Sequence, residues 1–447
     1  MTRSPAIPGQ RDRLASHVMS MLGARGIYAV SKWAAIACMA KLGSATMVGQ
    51  YGLGIAIALP VFGLKDLQLR SVQATDARHE HPFPLYLGLR LITIALAIII
   101  MIGIAISSYD TLQAQIIILV GLFKASESLA DICYGALQQQ EQMNRMAVSI
   151  ILRSILSTIG LASALFWNAD ALRLGLIYML AMSLLVWVIY DLPQVARLRL
   201  PDGTLTRILP AFPPQGLAHL TWLSLPLGIV MMLSLLQFNI PRYMLDQYHG
   251  STVLGIFAGI AYFVDSGMQF IVAIGNTFSP RLARHFANGD LSGYLKLFLR
   301  FSLLCITPGL MGVAVALLAG SWMLSLLLSK EYLPYSDLFA ILMLAGTLLF
   351  ARTATGVALT ATRQFKRSLM PGLVNTLISL LVCWMLIPRW GLYGAGWAMV
   401  IIAAVSWLIM LGVTLHIVRQ HHRFLTQSSV SPTQAHQADS PAPAESN

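Results

Sequence analysis

A chain of 447 residues that is 57% hydrophobic and only 11% charged cannot cover a soluble surface, because soluble proteins carry about a quarter charged residues. Its 30 Lys and Arg exceed its 18 Asp and Glu by twelve, but the excess is scattered singly between apolar stretches, as in membrane loops, and no nucleic-acid surface is implied. The cysteines Cys38, Cys133, Cys305 and Cys383 lie within apolar stretches without metal or redox spacing, which excludes a disulfide framework.

A membrane-spanning helix needs about 20 mostly apolar residues. Twelve such windows follow one another, centred near Val30, Ile57, Ala97, Leu119, Ser157, Leu180, Val230, Phe263, Gly309, Ala345, Leu380 and Ala404. Pro60, Pro226 and Pro308 fall inside them, as membrane helices tolerate. The stretch Met1–Ala15 is polar and proline-bearing and shows no cleavable signal. With a cytoplasmic N-terminus, alternation puts 20 Lys and Arg on cytoplasmic segments and 5 outside, namely Lys41, Arg173, Arg242, Lys330 and Arg389. That bias predicts both termini in the cytoplasm.

The longest interior polar stretch, Pro193–Gly216, is rich in proline and basic residues. It predicts an N-terminal six-helix lobe over 1–192, a cytoplasmic linker over 193–217 and a C-terminal six-helix lobe over 218–417. Residues 418–447, poor in apolar side chains, are expected to form a disordered cytoplasmic tail. The expected fold is thus an all-α integral membrane protein, with about twelve transmembrane helices in two six-helix lobes, as in transporters built from parallel repeats. The longest outer segment, Gly320–Pro334, has 15 residues. No loop is long enough to fold a catalytic domain, which argues for a carrier and against an enzyme.

Charges inside apolar spans cost roughly 2.5–3.5 kcal/mol each at mid-helix, so they line cavities or have partners. The first span carries Arg25 and Lys32 on nearly one face with Tyr28 between them, and the fourth carries Lys124, Glu127 and Asp131. Arg153 lies in the fifth span, Asp265 in the eighth and Arg352 in the tenth. Lys32, Lys124, Asp265 and Arg352, near mid-span, read as lining a cavity, the three cations as its substrate-binding groups. Arg25 and Arg153, nearer the cytoplasmic ends, fit that cavity or a structural, snorkelling role equally well. Five interior cations against three anions suit an anionic headgroup such as a diphosphate, held by charge-assisted hydrogen bonds.

Asp265, Gln269 and Asn276 share a helical face that either binds sugar hydroxyls, lines a proton path or makes an ordinary interhelical hydrogen bond. Asp265, Glu127 and Asp131 are the carboxylates open to pairing or to coupling with H+ or Na+. No cofactor or metal is expected. His79-Glu80-His81 stands beside Pro82 without further ligands nearby and reads as a solvated loop. Gly255 and Gly259 form a G-x-x-x-G suited to close helix packing. No P-loop or G-x-S-x-G pattern appears.

Five stretches stand out in order along the chain: LGSATMVGQYGLGIAIALPVFGLKDLQLR (Leu42–Arg70), ESLADICYGALQQQEQMNRMAVSIILRS (Glu127–Ser154), LGIFAGIAYF followed by GNTFSPRLARHFANGD (within Leu254–Asp290), SKEYLPYSDLFAILML (Ser329–Leu344) and PRWGLYGAGWAMVI (Pro388–Ile401). Together they resemble the polysaccharide biosynthesis transport family, the bacterial lipid-linked oligosaccharide (O-antigen, Wzx-type) flippases. Their superfamily also holds the multidrug and toxin extruders. The resemblance implies alternating access. It implies transfer of undecaprenyl-diphosphate-linked sugar repeat units across the inner membrane for O-antigen, capsule or exopolysaccharide assembly. Membrane lipids, a sugar-chain polymerase and glycosyltransferases of the same pathway are the implied partners. The family has no strict catalytic signature, so it assigns no residue. Two other readings stay open. A cation-coupled exporter of small cationic drugs on the same fold would need an anionic, aromatic cavity. A membrane-embedded polymerase or ligase would need a large outer loop with catalytic Arg or His.

Overall fold

The computed structural model describes residues 10–76, 80–168, 171–199, 204–362 and 369–430. Among these the backbone is helical almost throughout, and its one β feature is an isolated bridge between Arg199 and Leu205. The first half contains α1 (Gln10–Leu42), α2 (Ala45–Asp66), the short α3 (Leu69–Thr75), α4 (Phe83–Ser108), α5 (Thr111–Gln139) and α6 (Met143–Trp167). It closes with α7 (Leu172–Val186), which runs through a π turn at Trp187–Asp191 into α8 (Leu192–Ala196). The second half contains α9 (Pro214–Ala287), α10 (Leu291–Leu327), α11 (Ser336–Ala361) and α12 (Leu369–Val430).

Two of these helices, α9 and α12, are long bent pairs, and a third, α10, is kinked near its end at Ala319. Gly250 breaks α9 at φ 79° and Gly391 breaks α12 at φ 52°, in the left-handed region that glycine enters without a Cβ clash. Taking each arm separately, six long helical segments precede the linker and six follow it among the described residues. With the bent helices counted whole, eight helices among the described residues are long and apolar enough to cross a bilayer. Helices α1 and α5 are diluted by Arg25, Lys32, Lys124, Glu127 and Asp131, which face inward. Large apolar side chains such as Trp167, Leu317 and Leu318 are instead strongly exposed, as lipid contact requires. The chain is a multi-pass membrane protein.

Helix α2 is the keel between the halves. Its start is capped by Ser44, which accepts from the Met47 N–H. Along the first arm of α9 it runs antiparallel: Tyr243 donates to the Ala56 carbonyl, and Gly63 lies against Leu235 and Met231. Along the second arm it runs parallel, with Ala45 against Gly255 and Gly52 against Ala258. The two arms therefore fold back on each other at Gly250. His249 lies 3.0 Å from the Ile387 carbonyl and packs on Gly391, so both breaks sit at one end of the bundle, the hairpin end. Even numbers of crossings bring the linker and both described termini to the opposite, linker end.

Two boundaries differ from those expected. The extended connection is shorter than 193–217, because α8 reaches Ala196 and α9 begins at Pro214. Residues 418–430 continue α12 as helix, since no Gly or Pro interrupts IVRQHHRFLTQSSV. The remainder of the expected tail, 431–447, lies outside the described residues.

Candidate functional site

Three cavities follow one another through the bundle. The first, of about 300 Å³, lies among α1, α2, α5 and α6, and its wall includes Arg25, Lys32, Asp66, Arg70, Lys124, Glu127, Asp131 and Arg153. A central cavity of about 400 Å³ lies between the halves and is lined by Tyr28, Lys32, Tyr51, Lys124, Phe238, Arg242, Tyr262, Asp265, Gln269 and Arg352. The third, of about 460 Å³, lies within the second half. Tyr28, Lys32 and Lys124 are walls shared by the first two, and Arg352 and Thr353 by the last two.

At the heart of the site two ammonium groups share one carboxylate. Glu127 accepts from Lys124, one turn away on α5, at 2.6 Å and from Lys32 of α1 at 3.1 Å. Lys32 also lies over the rings of Phe123 and Tyr28, 4.9 and 5.4 Å from their centroids, so its charge is held by π faces as well as by Glu127. Across the cavity Arg352 sits 5.1 Å from the Phe238 ring centroid. It joins no ion pair among the described residues, and its Nε is buried without a hydrogen-bond partner. Arg25 lines the first cavity and likewise joins no ion pair there.

The other charges are already satisfied by protein. Asp265 accepts from Arg242 at 2.8 Å, and Arg242 also donates to Asn239 at 2.9 Å. Arg242, expected in an outer loop, lines the central cavity, because α9 stays helical up to Gly250. Arg153 donates to the Ser126 carbonyl at 3.1 Å, to Ser183 at 2.7 Å and to Asp191 at 2.5 Å. Asp191 is brought there by the π turn and is fully buried. In the sequence it closes the sixth span, beside the linker, and has no local mark of burial. Gln269 lines the central cavity; the Asn276 side chain lies outside the described residues.

Near the linker end a denser network holds Asp131. It accepts from Arg70 and Arg90, both at 3.3 Å. Asp66 pairs with Arg90 and, at 2.8 Å, with Lys65, and it accepts from Ser128 at 2.8 Å. Lys65, Arg70 and Arg90 are among the 20 Lys and Arg that alternation puts on cytoplasmic segments. The structure gathers them because α2 ends in two left-handed residues, Leu67 and Gln68, a costly turn for residues with a Cβ. Arg90 clasps that turn through the Asp66 carboxylate, and its own side chain is fully buried. The legible signal was Arg90 itself, a cation seven residues inside the apolar α4. His79 lies outside the described residues. His81 approaches His219 at 3.3 Å, and no group of three or more metal-ligating side chains forms among the described residues.

Seven Lys or Arg and four Asp or Glu line the first two cavities. Each of the four carboxylates has a cationic partner. The hairpin end is shut: Lys41 donates to the Leu326 carbonyl at 2.5 Å, the Ala45 N–H to Glu331 at 3.2 Å, and Thr46 meets Thr252 at 2.9 Å. Toward the linker end the lining extends to Gln68 and Arg70 in the first cavity and to Thr360 and Gly372 in the third.

A multidrug resistance MATE family transporter of the MOP superfamily, in its outward-facing conformation, matches with TM-score 0.62 and 12% identity, over 94% of this chain and 100% of that one. An inward-facing MATE transporter matches with TM-score 0.62 and 15% identity, over 91% and 96%. The fold is that of the MOP-superfamily transporters. Since the two conformations score equally, the contacts at the hairpin end, and not the overall match, define the state of this MOP fold. A MOP superfamily transporter from Pyrococcus furiosus, for which a reverse polarity of the binding pocket suggests a different function, matches with TM-score 0.57 and 15% identity, over 91% and 96%. In sequence, the capsular polysaccharide biosynthesis protein CapF of Staphylococcus aureus is 25% identical over 379 residues, covering 84% of this chain and 92% of that one. No protein-family profile matches the chain.

Proposed function

We propose that this MOP-fold protein is a flippase. It carries undecaprenyl-diphosphate-linked oligosaccharide repeat units across the bacterial inner membrane for O-antigen, capsule or exopolysaccharide assembly. The observation that carries the reading is the central cavity's charge. Arg352 lines it with no carboxylate partner among the described residues, and Lys32 and Lys124 divide one carboxylate between them. An arriving diphosphate would complete these cations through charge-assisted hydrogen bonds, while the polyprenyl tail stays in lipid. An exporter of cationic drugs on the same fold needs an available carboxylate. Here Glu127, Asp131 and Asp265 are all engaged by cations. The likeness to a capsular polysaccharide biosynthesis protein supports the same choice of substrate.

The Lys and Arg distribution supports a cytoplasmic linker end, which would put the closed hairpin end at the periplasm. No bond chemistry is required, only two open states close in free energy. The test is complementation of surface-glycan assembly, normalised to membrane protein level, by the Lys32→Gln plus Arg352→Gln double variant. Loss of assembly at normal abundance is expected. Full assembly would overturn the cationic-cavity reading, and protection of cells against cationic dyes would favour the exporter.

A further inference from the structure

The third cavity differs in chemistry from the other two. Its polar wall is made of Ser234, Gln237, Ser279, Thr353, Thr360 and Asn375, and Arg352 is the one charged residue among those described. Three of its hydroxyls spend their protons on their own helices: Ser234 on the Val230 carbonyl at 2.9 Å, Thr353 on that of Leu349 at 2.9 Å and Thr360 on that of Gly356 at 2.8 Å. Such hydroxyls keep their lone pairs and so face the cavity as acceptors. Gln237 commits one of its two amide N–H groups to Ser406 at 3.0 Å. Asn375 is only 2% exposed, yet its Oδ1 has no hydrogen-bond partner among the described residues. A buried acceptor without a donor is costly, and the residue that carries this one belongs to the cavity wall.

We propose that this bay is a carbohydrate subsite, receiving the sugar hydroxyls of the substrate while the cations beyond Arg352 hold its diphosphate. The inference rests on the flippase reading above and adds a division of labour to it. A wall of acceptors matches O–H donors. Its acceptors suit a phosphate less well, since a phosphate only accepts and finds a single cation here, and Arg352 repels a cationic amine. A neutral polyol is the chemistry that remains. Because Arg352 and Thr353 line both cavities, a ligand anchored at Arg352 lies directly against the bay. The volume of about 460 Å³ lies within the roughly 300–1,000 Å³ of small-molecule sites.

The experiment uses the full chain in lipid nanodiscs and two probes: undecaprenyl diphosphate, and the same lipid bearing one N-acetylhexosamine. The wild type should bind the sugar-bearing probe about tenfold more tightly, the worth of one or two net hydrogen bonds. Asn375→Leu plus Thr360→Val should abolish that advantage and leave the bare diphosphate's affinity unchanged, which also certifies the fold. Ser279→Ala, a milder change, should reduce it partially. Equal wild-type affinity for both probes, or equal loss of both in the variants, would overturn the subsite and leave the flippase reading standing. If the wild type binds neither probe, the flippase reading falls and the subsite with it.

Discussion

Gly49 of α2 and Gly255 of α9 meet backbone to backbone. A Cβ on Gly49 would lie 1.7 Å from the Ser251 carbonyl oxygen, and one on Gly255 would lie 1.7 Å from that of Ala45. The obstacle in each case is main chain, which cannot rotate aside. Closure of the hairpin end is therefore possible only because neither position carries a side chain.

Gly49→Ala or Gly255→Val should hold the hairpin end apart without touching the cavities. Surface-glycan assembly should be lost while the protein stays in the membrane. A cysteine introduced at Thr46, which in the closed state touches Thr252, should become more reactive toward an impermeant thiol reagent applied to intact cells. Unchanged labelling and normal assembly would show that this contact is not required for closure.

Lys124 and Glu127 should separate into different phenotypes. Lys124→Gln leaves Glu127 paired with Lys32 at 3.1 Å, so abundance should hold while transport falls by about tenfold or more, the worth of one charge-assisted hydrogen bond of about 1.5–3 kcal/mol. Lys124→Arg should be milder because the charge survives. Glu127→Gln leaves two ammonium groups facing each other and should lower abundance instead. Western blotting of membranes beside the glycan assay distinguishes the two patterns.

Arg153 and Asp191 make a buried pair, with side chains 8% and 0% exposed. Breaking such a pair on one side leaves a buried charge and costs about 3–5 kcal/mol. Asp191→Leu should lower the thermal unfolding temperature of the purified protein. Adding Arg153→Met should recover most of that loss, since an apolar replacement of both partners removes the stranded charge. No recovery in the double variant would assign Arg153 a role beyond this pair.

The linker and both termini should lie in the cytoplasm. A cysteine at Thr204 in intact cells should resist an impermeant reagent, and truncation after Arg423 should leave glycan assembly intact. Periplasmic labelling at Thr204 would invert the orientation.

Helix number and membrane character are local properties. Each span is recognised from its own 20 or so residues, and the energetic cost of a charge among them already marks Lys32, Lys124 and Arg352 as inward-facing. That is why the helical architecture and the cavity's first residues could be read along the chain. Partnership is different, because it depends on which helix lies beside which. Nothing near Asp191 in the sequence announces Arg153, 38 residues earlier. Arg242 passed for a loop residue until the unbroken helix up to Gly250 carried it to Asp265. Asp66 and Arg90 came together only because α2 and α4 pack across the left-handed turn at Leu67. Hydrophobicity is summed along the chain, so the sequence by itself determined a polytopic bundle with a charged interior. Ion pairing is summed across space, so only the tertiary structure decided which of those charges are spent on one another and which, like Arg352, join no ion pair among the described residues.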